Sequence, residues 1–158
     1  MSGDGPGTEG GRRLPQDGPD EAHQVPPGVS EETVDALGKM SEALEALEVA
    51  RGHLYEFHRL SGRADIQLGE ALEAFEEAGH SDLASRVRED LWGRNVIAGR
   101  WTFQVVEEYD DGYWSRFRDW ERTAREELAQ GRRHLYEARM KEDERTRGRE
   151  GHEARPNP

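Results

Sequence analysis

Apolar residues recur every three or four positions through the middle of the chain, the spacing that places side chains on one face of an α-helix. The first stripe follows Ser30, a residue type that favours helix N-termini, and it stops at Ser61 and Gly62. Its members are Val34, Leu37, Met40, Leu44, Leu47 and Leu54, with Ala43, Ala50 and Phe57 beside them. The pattern predicts a first helix over residues 30–60.

Two further helices are predicted directly downstream. The second is short and covers about residues 63–78, because Gly79 suits the left-handed position that follows a helix C-terminus. Ser81 then opens a third helix that extends to about residue 109. Gly93 and Gly99 are weak points within this third helix, since glycine has a low helix propensity.

The segment 100–118 allows two interpretations. Residues 110–112 read Asp-Asp-Gly, a turn signal, and a fourth helix is predicted from there to about residue 142. Trp101, Phe103 and Val105 alternate ahead of that turn, so the segment also fits a β-hairpin. The apolar stripe of the fourth helix begins with Tyr113, Phe117, Trp120, Ala124 and Leu128.

Four helices joined by short links predict an all-α, antiparallel four-helix bundle over residues 30–142, with a short second helix. Residues 1–29 are rich in glycine, proline and acidic side chains, and residues 143–158 are charged without an apolar stripe. Such segments bury too little surface to offset the entropy lost on ordering, so we expect disordered tails. The short second helix leaves one end of the bundle open, which favours a homodimer.

Composition narrows the classes of function. Charged residues make up 35% of the chain, and the net charge of −12 disfavours binding to nucleic acid. The absence of cysteine excludes disulfides and zinc–thiolate sites. No apolar run is long enough to span a membrane and no secretory signal is recognisable, so we expect a cytoplasmic protein. No phosphate-binding loop, dinucleotide fingerprint or His-Glu-x-x-His motif is present.

The tetrapeptide His-Leu-Tyr-Glu occurs twice, at residues 53–56 and 134–137. A histidine and a glutamate three residues apart point the same way on a helix, and such pairs resemble the metal ligands of ferritin-like bundles. The order here is His-x-x-Glu, whereas ferritin-like sites use Glu-x-x-His, and antiparallel helices would separate the two copies by about 20 Å. We therefore assign no metal site and keep chance repetition and a partner-binding face as the other interpretations. Candidate ligands are His53, Glu56, His58, His134 and Glu137.

Aromatic residues concentrate between residues 92 and 120 and fall on several sides of the predicted helices. One helix seam cannot bury them all, so we expect some at an interface, where Trp and Tyr are enriched. A bulky core layer and an aromatic ligand pocket are the alternatives. Candidate interface residues are Trp92, Trp101, Phe103, Tyr109, Tyr113 and Trp114.

These patterns together predict a non-enzymatic helical interaction or scaffold protein. Its partner is expected to be another protein or a second copy of the chain, and no cofactor is expected. A ferritin-like metal-binding or oxidase bundle is the main alternative, and a small-molecule sensor with an aromatic pocket is a third.

Overall fold

The computed structural model describes residues 17–155 and shows an all-α fold, which confirms the fold class predicted from the sequence. A 3₁₀ turn covers Glu21–His23, and a π-helical turn, Asp110–Trp114, connects α3 to α4. Residues 17–155 contain no β-strand, only an isolated bridge between Ile97 and Arg100. The α-helices are α1 (Glu31–Glu77), α2 (Ser81–Asp90), α3 (Thr102–Tyr109), α4 (Ser115–Ala129) and α5 (Leu135–Glu144).

The chain divides into two compact units. Within the described residues, the terminal unit combines residues 17–38 with residues 125–155, and the central unit is Lys39–Ala124. The antiparallel four-helix arrangement and the domain limits at residues 30 and 142 stay predictions.

The buried side of α1 repeats every seven residues. Between residues 42 and 67 every position outside this repeat is exposed. A seven-residue repeat sustained over several heptads is the pattern of a coiled-coil seam, in which side chains at the two inner positions pack against a partner helix. The repeat therefore gives α1 one continuous inner face. Its inner positions are all buried or half-buried, and they are Leu37, Met40, Leu44, Leu47, Arg51, Leu54, His58, Ser61, Asp65, Leu68 and Leu72.

Three successive heptad positions on α1, each seven residues after the last, are polar, and each has a partner within the central unit. The Arg51 guanidinium pairs with Asp110, and the Nδ1 atom of His58 lies 2.7 Å from the Thr102 hydroxyl oxygen. The carboxylate of Asp65 accepts a hydrogen bond from the backbone N–H of Gly93 at 2.9 Å. A polar residue at an inner heptad position costs stability but selects one register of the two packed segments. These three contacts therefore define how residues 93–110 align with α1.

The helix break predicted at Ser61 and Gly62 is wrong. α1 continues through both residues to Glu77, so the first and second predicted helices are one helix. Ser61 occupies an inner heptad position and Gly62 is exposed, with nothing within 4 Å of the place a Cβ would take. A glycine inside a helix costs about 1 kcal/mol, and the seam that continues to Leu68 and Leu72 offsets that cost.

The third predicted helix is also too long. α2 ends at Asp90, and residues 91–101 form a loop in which Gly93 and Gly99 have φ angles of 76° and 77°. Backbone in this left-handed region favours glycine and ends a helix, so the two weak points in the sequence are real breaks. The loop returns the chain to Thr102, where α3 begins.

The turn predicted at residues 110–112 does not interrupt the helix, and the alternative β-hairpin over residues 100–118 is excluded. Residues 102–129 are helical throughout, because the π turn takes up the Asp-Asp-Gly sequence without ending the helix. The predicted fourth helix ends at Ala129 and not near residue 142. Gln130, Gly131 and His134 have positive φ angles, and α5 follows as a separate helix.

Both ends of the described chain contact each other within the terminal unit. The Arg145 side chain is only 1% exposed and forms ion pairs with Asp17 at 2.8 Å and with Glu142 at 2.6 Å. The Arg155 guanidinium donates to two backbone carbonyl oxygens of the N-terminal segment. These contacts within residues 17–29 and 143–155 were not expected for tails. The prediction of disorder for residues 1–16 and 156–158 lies outside the described residues.

The terminal unit is closed by a tight contact between α1 and α5. Gly38 is buried, and a Cβ built on it would lie 2.8 Å from Cγ and 2.9 Å from Cβ of Tyr136. One turn earlier on α1, Asp35 forms an ion pair with Arg139. Gly38 thus lets the Tyr136 ring approach the backbone of α1. The apolar side chains buried in this unit are Pro26, Val34, Leu37, Ala129 and Leu135.

Candidate functional site

The central unit contains an ion pair held by two hydrogen bonds. Arg51 on α1 donates through Nε to Oδ1 of Asp110 at 2.7 Å and through Nη2 to Oδ2 at 2.9 Å. The Tyr55 hydroxyl, one turn along α1, donates to the same Oδ2 atom at 3.1 Å. Paired N–H donors on one carboxylate give geometric specificity as well as strength. Asp110 is the first residue of the π turn, so this pair connects α1 to the irregular part of the long helical run.

The Trp114 ring contacts two guanidinium groups. The Cζ atom of Arg51 is 4.0 Å from the centre of its ring, and that of Arg118 is 4.6 Å away. A cation over an indole face is attracted by the negative charge of the ring face. The Nε1–H group of Trp114 is buried and has no hydrogen-bond partner. Trp114 is therefore part of the packing around Arg51, and not a free surface aromatic.

The charges in this cluster stabilise each other. The Arg51 guanidinium, together with the Tyr55 hydroxyl, holds the pKa of the Asp110 carboxyl below its ordinary value of 3.8, against the opposing effect of burial. The same hydrogen bonds from Arg51 raise the pKa of the guanidinium. Burial raises the pKa of the neighbouring Tyr109 hydroxyl. The pair is thus fully ionised near neutral pH. Both side chains are largely shielded from solvent, with 27% of Arg51 and 18% of Asp110 exposed.

The lowered pKa of Asp110 predicts how stability depends on pH. In the folded protein the carboxyl releases its proton more readily than in the unfolded chain, so the unfolded state binds more protons below pH 4. The stabilisation is fully present above the ordinary pKa and is lost as pH falls through the lowered one. Urea denaturation at about pH 5 and about pH 3 should show a smaller loss of stability for Asp110→Asn than for the wild type. Asp111→Asn should behave like the wild type, and equal losses for all three proteins would contradict the prediction.

Other aromatic side chains of the same helical run point outward. Trp101 and Tyr113 are each 59% exposed, Phe103 is also exposed, and Trp120 is 69% exposed. The rings of Trp101 and Phe103 touch edge to face with their centres 6.3 Å apart. Tyr113 and Trp120 are seven residues apart and therefore lie on one side of the helix. We call these four exposed residues together the aromatic surface: Trp101 and Phe103 at the start of α3, Tyr113 in the π turn and Trp120 on α4.

The structure separates the candidate interface residues into two groups. Trp101, Phe103 and Tyr113 belong to the aromatic surface, whereas Tyr109 and Trp114 are half-buried. Trp92, the sixth candidate, is also exposed but does not belong to the aromatic surface. Whether any of these residues contacts a partner stays a prediction.

Trp92 fastens the 91–101 loop to α1. Its Nε1–H donates to the backbone carbonyl oxygen of Asp65 at 3.2 Å, and the ring lies against Gly69. The Arg88 guanidinium stands 5.0 Å from the centre of the ring on the α2 side. A side chain held in this way positions the loop, so Trp92 has a structural role that its sequence position did not reveal.

Trp120 was not among the candidate interface residues, although it is the most exposed tryptophan of the aromatic surface. The sequence pattern assigned it to the buried stripe of the fourth helix together with Tyr113 and Leu128, and all three are exposed. The side of this helical run that faces α1 contains the residues that follow Tyr113 and Trp120, namely Trp114 and Glu121. Both have polar partners on α1. The Ser41 hydroxyl, for example, donates to the Glu121 carboxylate at 3.2 Å.

An open groove of about 690 Å³ lies between α1 and the 91–101 loop. Its volume falls within the range of roughly 300–1,000 Å³ that is usual for small-molecule sites. Asp65, which is already bonded to the Gly93 backbone, stands at its edge. The groove follows from the way the loop crosses α1. Its apolar lining residues are Ala64, Leu68, Leu91, Val96 and Trp101.

The candidate metal ligands do not form one cluster. His53 and Glu56 lie exposed on α1 in the central unit, whereas His134 and Glu137 belong to the terminal unit. His58 is bonded to Thr102 and not to the Asp65 carboxylate that stands next in the heptad. Across residues 17–155 no group of three or more His, Asp or Glu side chains has the arrangement needed to hold a metal ion.

No protein-family model matches the chain, and comparisons with curated proteins and with solved structures give no match either. Among residues 17–155, no helix combines the length and the apolar character needed to cross a membrane.

Proposed function

We propose that the protein is a non-enzymatic helical interaction protein that self-associates through the aromatic surface of its central unit. The observation that carries this proposal is the exposure of Trp101, which caps α3, and of Phe103, Tyr113 and Trp120 on the helical run that follows. Trp and Tyr are the residue types that contribute most to binding energy at protein interfaces. The helical run that bears Phe103, Tyr113 and Trp120 is held to α1 by the Arg51–Asp110 pair, so these rings are presented by a rigid element.

The size of the exposed aromatic area supports an interface. A covered aromatic side chain buries roughly 150–250 Å², and a standard interface buries roughly 800 Å² on each partner. Covering the exposed parts of these four rings would supply on the order of half of that area. The polar rim that interfaces require is available from Arg100, whose guanidinium pairs with Glu108 beside the same helix.

Substitution of the two tryptophans tests the proposal. Wild-type protein measured by light scattering after size exclusion is expected to have about twice the mass of the 18.0 kDa chain. The double variant Trp101→Ala with Trp120→Ala should shift to the mass of one chain, because the largest apolar contacts are lost. Circular dichroism should stay helical, since both side chains are exposed and neither carries the packing of the central unit.

The matched control is Phe57→Ala, which removes an exposed aromatic ring from α1 instead of the aromatic surface. Its mass should equal that of the wild type. A wild-type chain that stays monomeric up to about 100 μM would contradict self-association, since a specific dimer of ordinary affinity forms well below that concentration. A Phe57→Ala variant that dissociates as readily as the double variant would show that a different surface mediates the contact.

The ferritin-like alternative gains no support, because the described residues lack a group of three or more metal-binding side chains. The cytoplasmic location expected from the sequence stays a prediction.

A further inference from the structure

The second copy of the duplicated tetrapeptide has a neighbour that the first copy lacks. In the terminal unit the imidazole rings of His23 and His134 lie with their centres 6.4 Å apart and their planes inclined by 34°. Both rings line one surface groove of about 430 Å³. His23 comes from the 3₁₀ turn ahead of α1, and His134 immediately precedes α5. Two segments that are distant in sequence thus bring two imidazoles to one place.

A carboxylate stands beside the same ring atom of each histidine. The Nδ1 atom of His23 is 2.6 Å from Oδ1 of Asp20, and the Nδ1 atom of His134 is 3.8 Å from Oε1 of Glu137. In metal sites the ligating histidine commonly donates its second ring N–H to a carboxylate, which orients the ring and makes the ligating nitrogen more basic. Asp20 holds Nδ1 of His23 in this way and leaves Nε2 of His23 to a ligand, whereas Glu137 stands beside His134 at a contact distance that is too long for a hydrogen bond.

The backbone at His134 points to a role other than helix capping. Its φ and ψ angles are 57° and 33°, a left-handed conformation that few residues other than glycine adopt, with asparagine, aspartate and histidine the most frequent among them. It precedes α5 as the N-cap residue, yet its side chain makes no capping hydrogen bond. Residues held in such conformations concentrate at functional sites, where the surrounding structure maintains them.

The first tetrapeptide copy provides an internal comparison. His53 and Glu56 have the same three-residue spacing as His134 and Glu137, and both are exposed on α1. No second histidine ring contacts His53 within the described residues. The two copies therefore share a sequence but differ in the feature that a chelating site needs, a second imidazole.

We propose that His23 and His134 bind a divalent late first-row transition-metal ion, with Zn²⁺ as the representative, through their two imidazole nitrogens. Imidazole nitrogen is a preferred ligand for Zn²⁺, Ni²⁺ and Cu²⁺, whereas Mg²⁺ prefers oxygen. Water completes the coordination, because no cluster of three or more metal-binding side chains occurs among the described residues. Arg132 and Arg133 line the same groove, and the carboxylates of Asp20 and Glu137 offset their positive charge.

Binding at this site ties the segment before α1 to the start of α5. The Arg132 guanidinium already connects the two segments by donating to the Gln24 backbone carbonyl. A ligand that binds only the folded form stabilises it. Zn²⁺ therefore raises the melting temperature of the full chain, which gives a second readout besides binding itself.

Calorimetric titration of ZnCl₂ into the full chain, purified without a His tag, tests the site. One Zn²⁺ per chain is expected, with a rise in melting temperature and no change of mass by light scattering. His23→Gln and His134→Asn should each weaken binding about tenfold or more. Asparagine tolerates the left-handed conformation of residue 134, so this variant should keep its fold. His53→Gln is the matched control and should bind like the wild type, and MgCl₂ should give no binding.

Four outcomes would overturn the proposal. They are the absence of Zn²⁺ binding to the wild type, full binding by both His23→Gln and His134→Asn, an equal loss in His53→Gln, and half-stoichiometric binding with a mass twice that of the Zn²⁺-free protein. Inorganic phosphate binding that depends on the same two histidines, without Zn²⁺ binding, would instead mark the groove as an anion site. None of these results depends on whether the aromatic surface mediates self-association.

Discussion

Asp110→Ala is expected to lower the free energy of unfolding by about 2–3 kcal/mol. The substitution leaves the Arg51 guanidinium, 27% exposed, without the carboxylate that accepts two of its hydrogen bonds, and it removes the acceptor of the Tyr55 hydroxyl. Removing one partner of a part-buried charged pair costs more than the pair itself contributes, because the remaining charge stays desolvated. Urea denaturation followed by circular dichroism at neutral pH measures the change.

Asp111→Ala is the matched control for this substitution. It removes the same charge from the next residue of the π turn, where the side chain is exposed, and it should change stability by no more than about 0.5 kcal/mol. Similar losses in the two variants would mean that the acidic residues act through the helix and not through Arg51. A loss below about 0.5 kcal/mol in Asp110→Ala would contradict the role assigned to the ion pair.

Gly38→Ala is expected to destabilise the terminal unit by about 1–2 kcal/mol. Alanine would normally improve a helix by about 1 kcal/mol at an interior position. At this position the added Cβ would stand 2.8 Å from Cγ and 2.9 Å from Cβ of Tyr136, atoms near the base of the side chain that cannot move without shifting α5. The strain of such overpacking is about 1–3 kcal/mol and outweighs the gain in helix propensity. The midpoint of urea unfolding is the measurement.

Gly52→Ala and Gly62→Ala test the same substitution in open space on α1. Neither has an atom within 4 Å of the new Cβ, so each should stabilise the protein by about 0.5–1 kcal/mol. Opposite signs for Gly38→Ala and these two controls would establish that the Tyr136 contact decides the outcome. A stabilising Gly38→Ala would show that α5 can move away from α1 at little cost.

Much of the helical content could be predicted because it depends on short-range patterns. The Ser30 start agrees with α1 beginning at Glu31, and Gly79 follows the end of α1 as predicted. Ser81 is the first residue of α2 and not its cap, because His80 occupies the N-cap position. Gly79 has a φ angle of 88°, as its predicted role after a helix C-terminus requires. These features depend on a residue and its immediate neighbours, so the sequence contains the information they need.

The predicted boundaries failed where a distant partner outweighed a local preference. Ser61 and Gly62 look like a break, yet the inner face of α1 runs through them because Leu68 and Leu72 are buried beyond. The Asp-Asp-Gly sequence at 110–112 looks like a turn, yet it stays helical. Arg51, which lies 59 residues from Asp110 in sequence, holds that carboxylate in the π turn.

The candidate site was foreseen only in part for the same reason. Counting aromatic residues located the right helical run, and Trp101, Phe103 and Tyr113 are indeed exposed. The apolar spacing then predicted that Trp120 is buried. The next residue, Glu121, is buried instead, because its carboxylate accepts a hydrogen bond from Ser41 on α1, and apolar spacing contains no information about such a polar contact. The proximity of His23 and His134 could not be predicted from residue spacing along a helix, because the two positions are 111 apart in sequence.

The amino-acid sequence by itself determined that this protein is all-α, where α1 starts, and that its aromatic side chains exceed what one seam can bury. Only the tertiary structure decided that α1 is a single 47-residue helix, that a π turn replaces a loop, and which polar side chains meet. Helix propensity and capping act over about one turn of chain. Ion pairs and inner heptad contacts join residues far apart in sequence, and their energies are large enough to override a local glycine or turn signal.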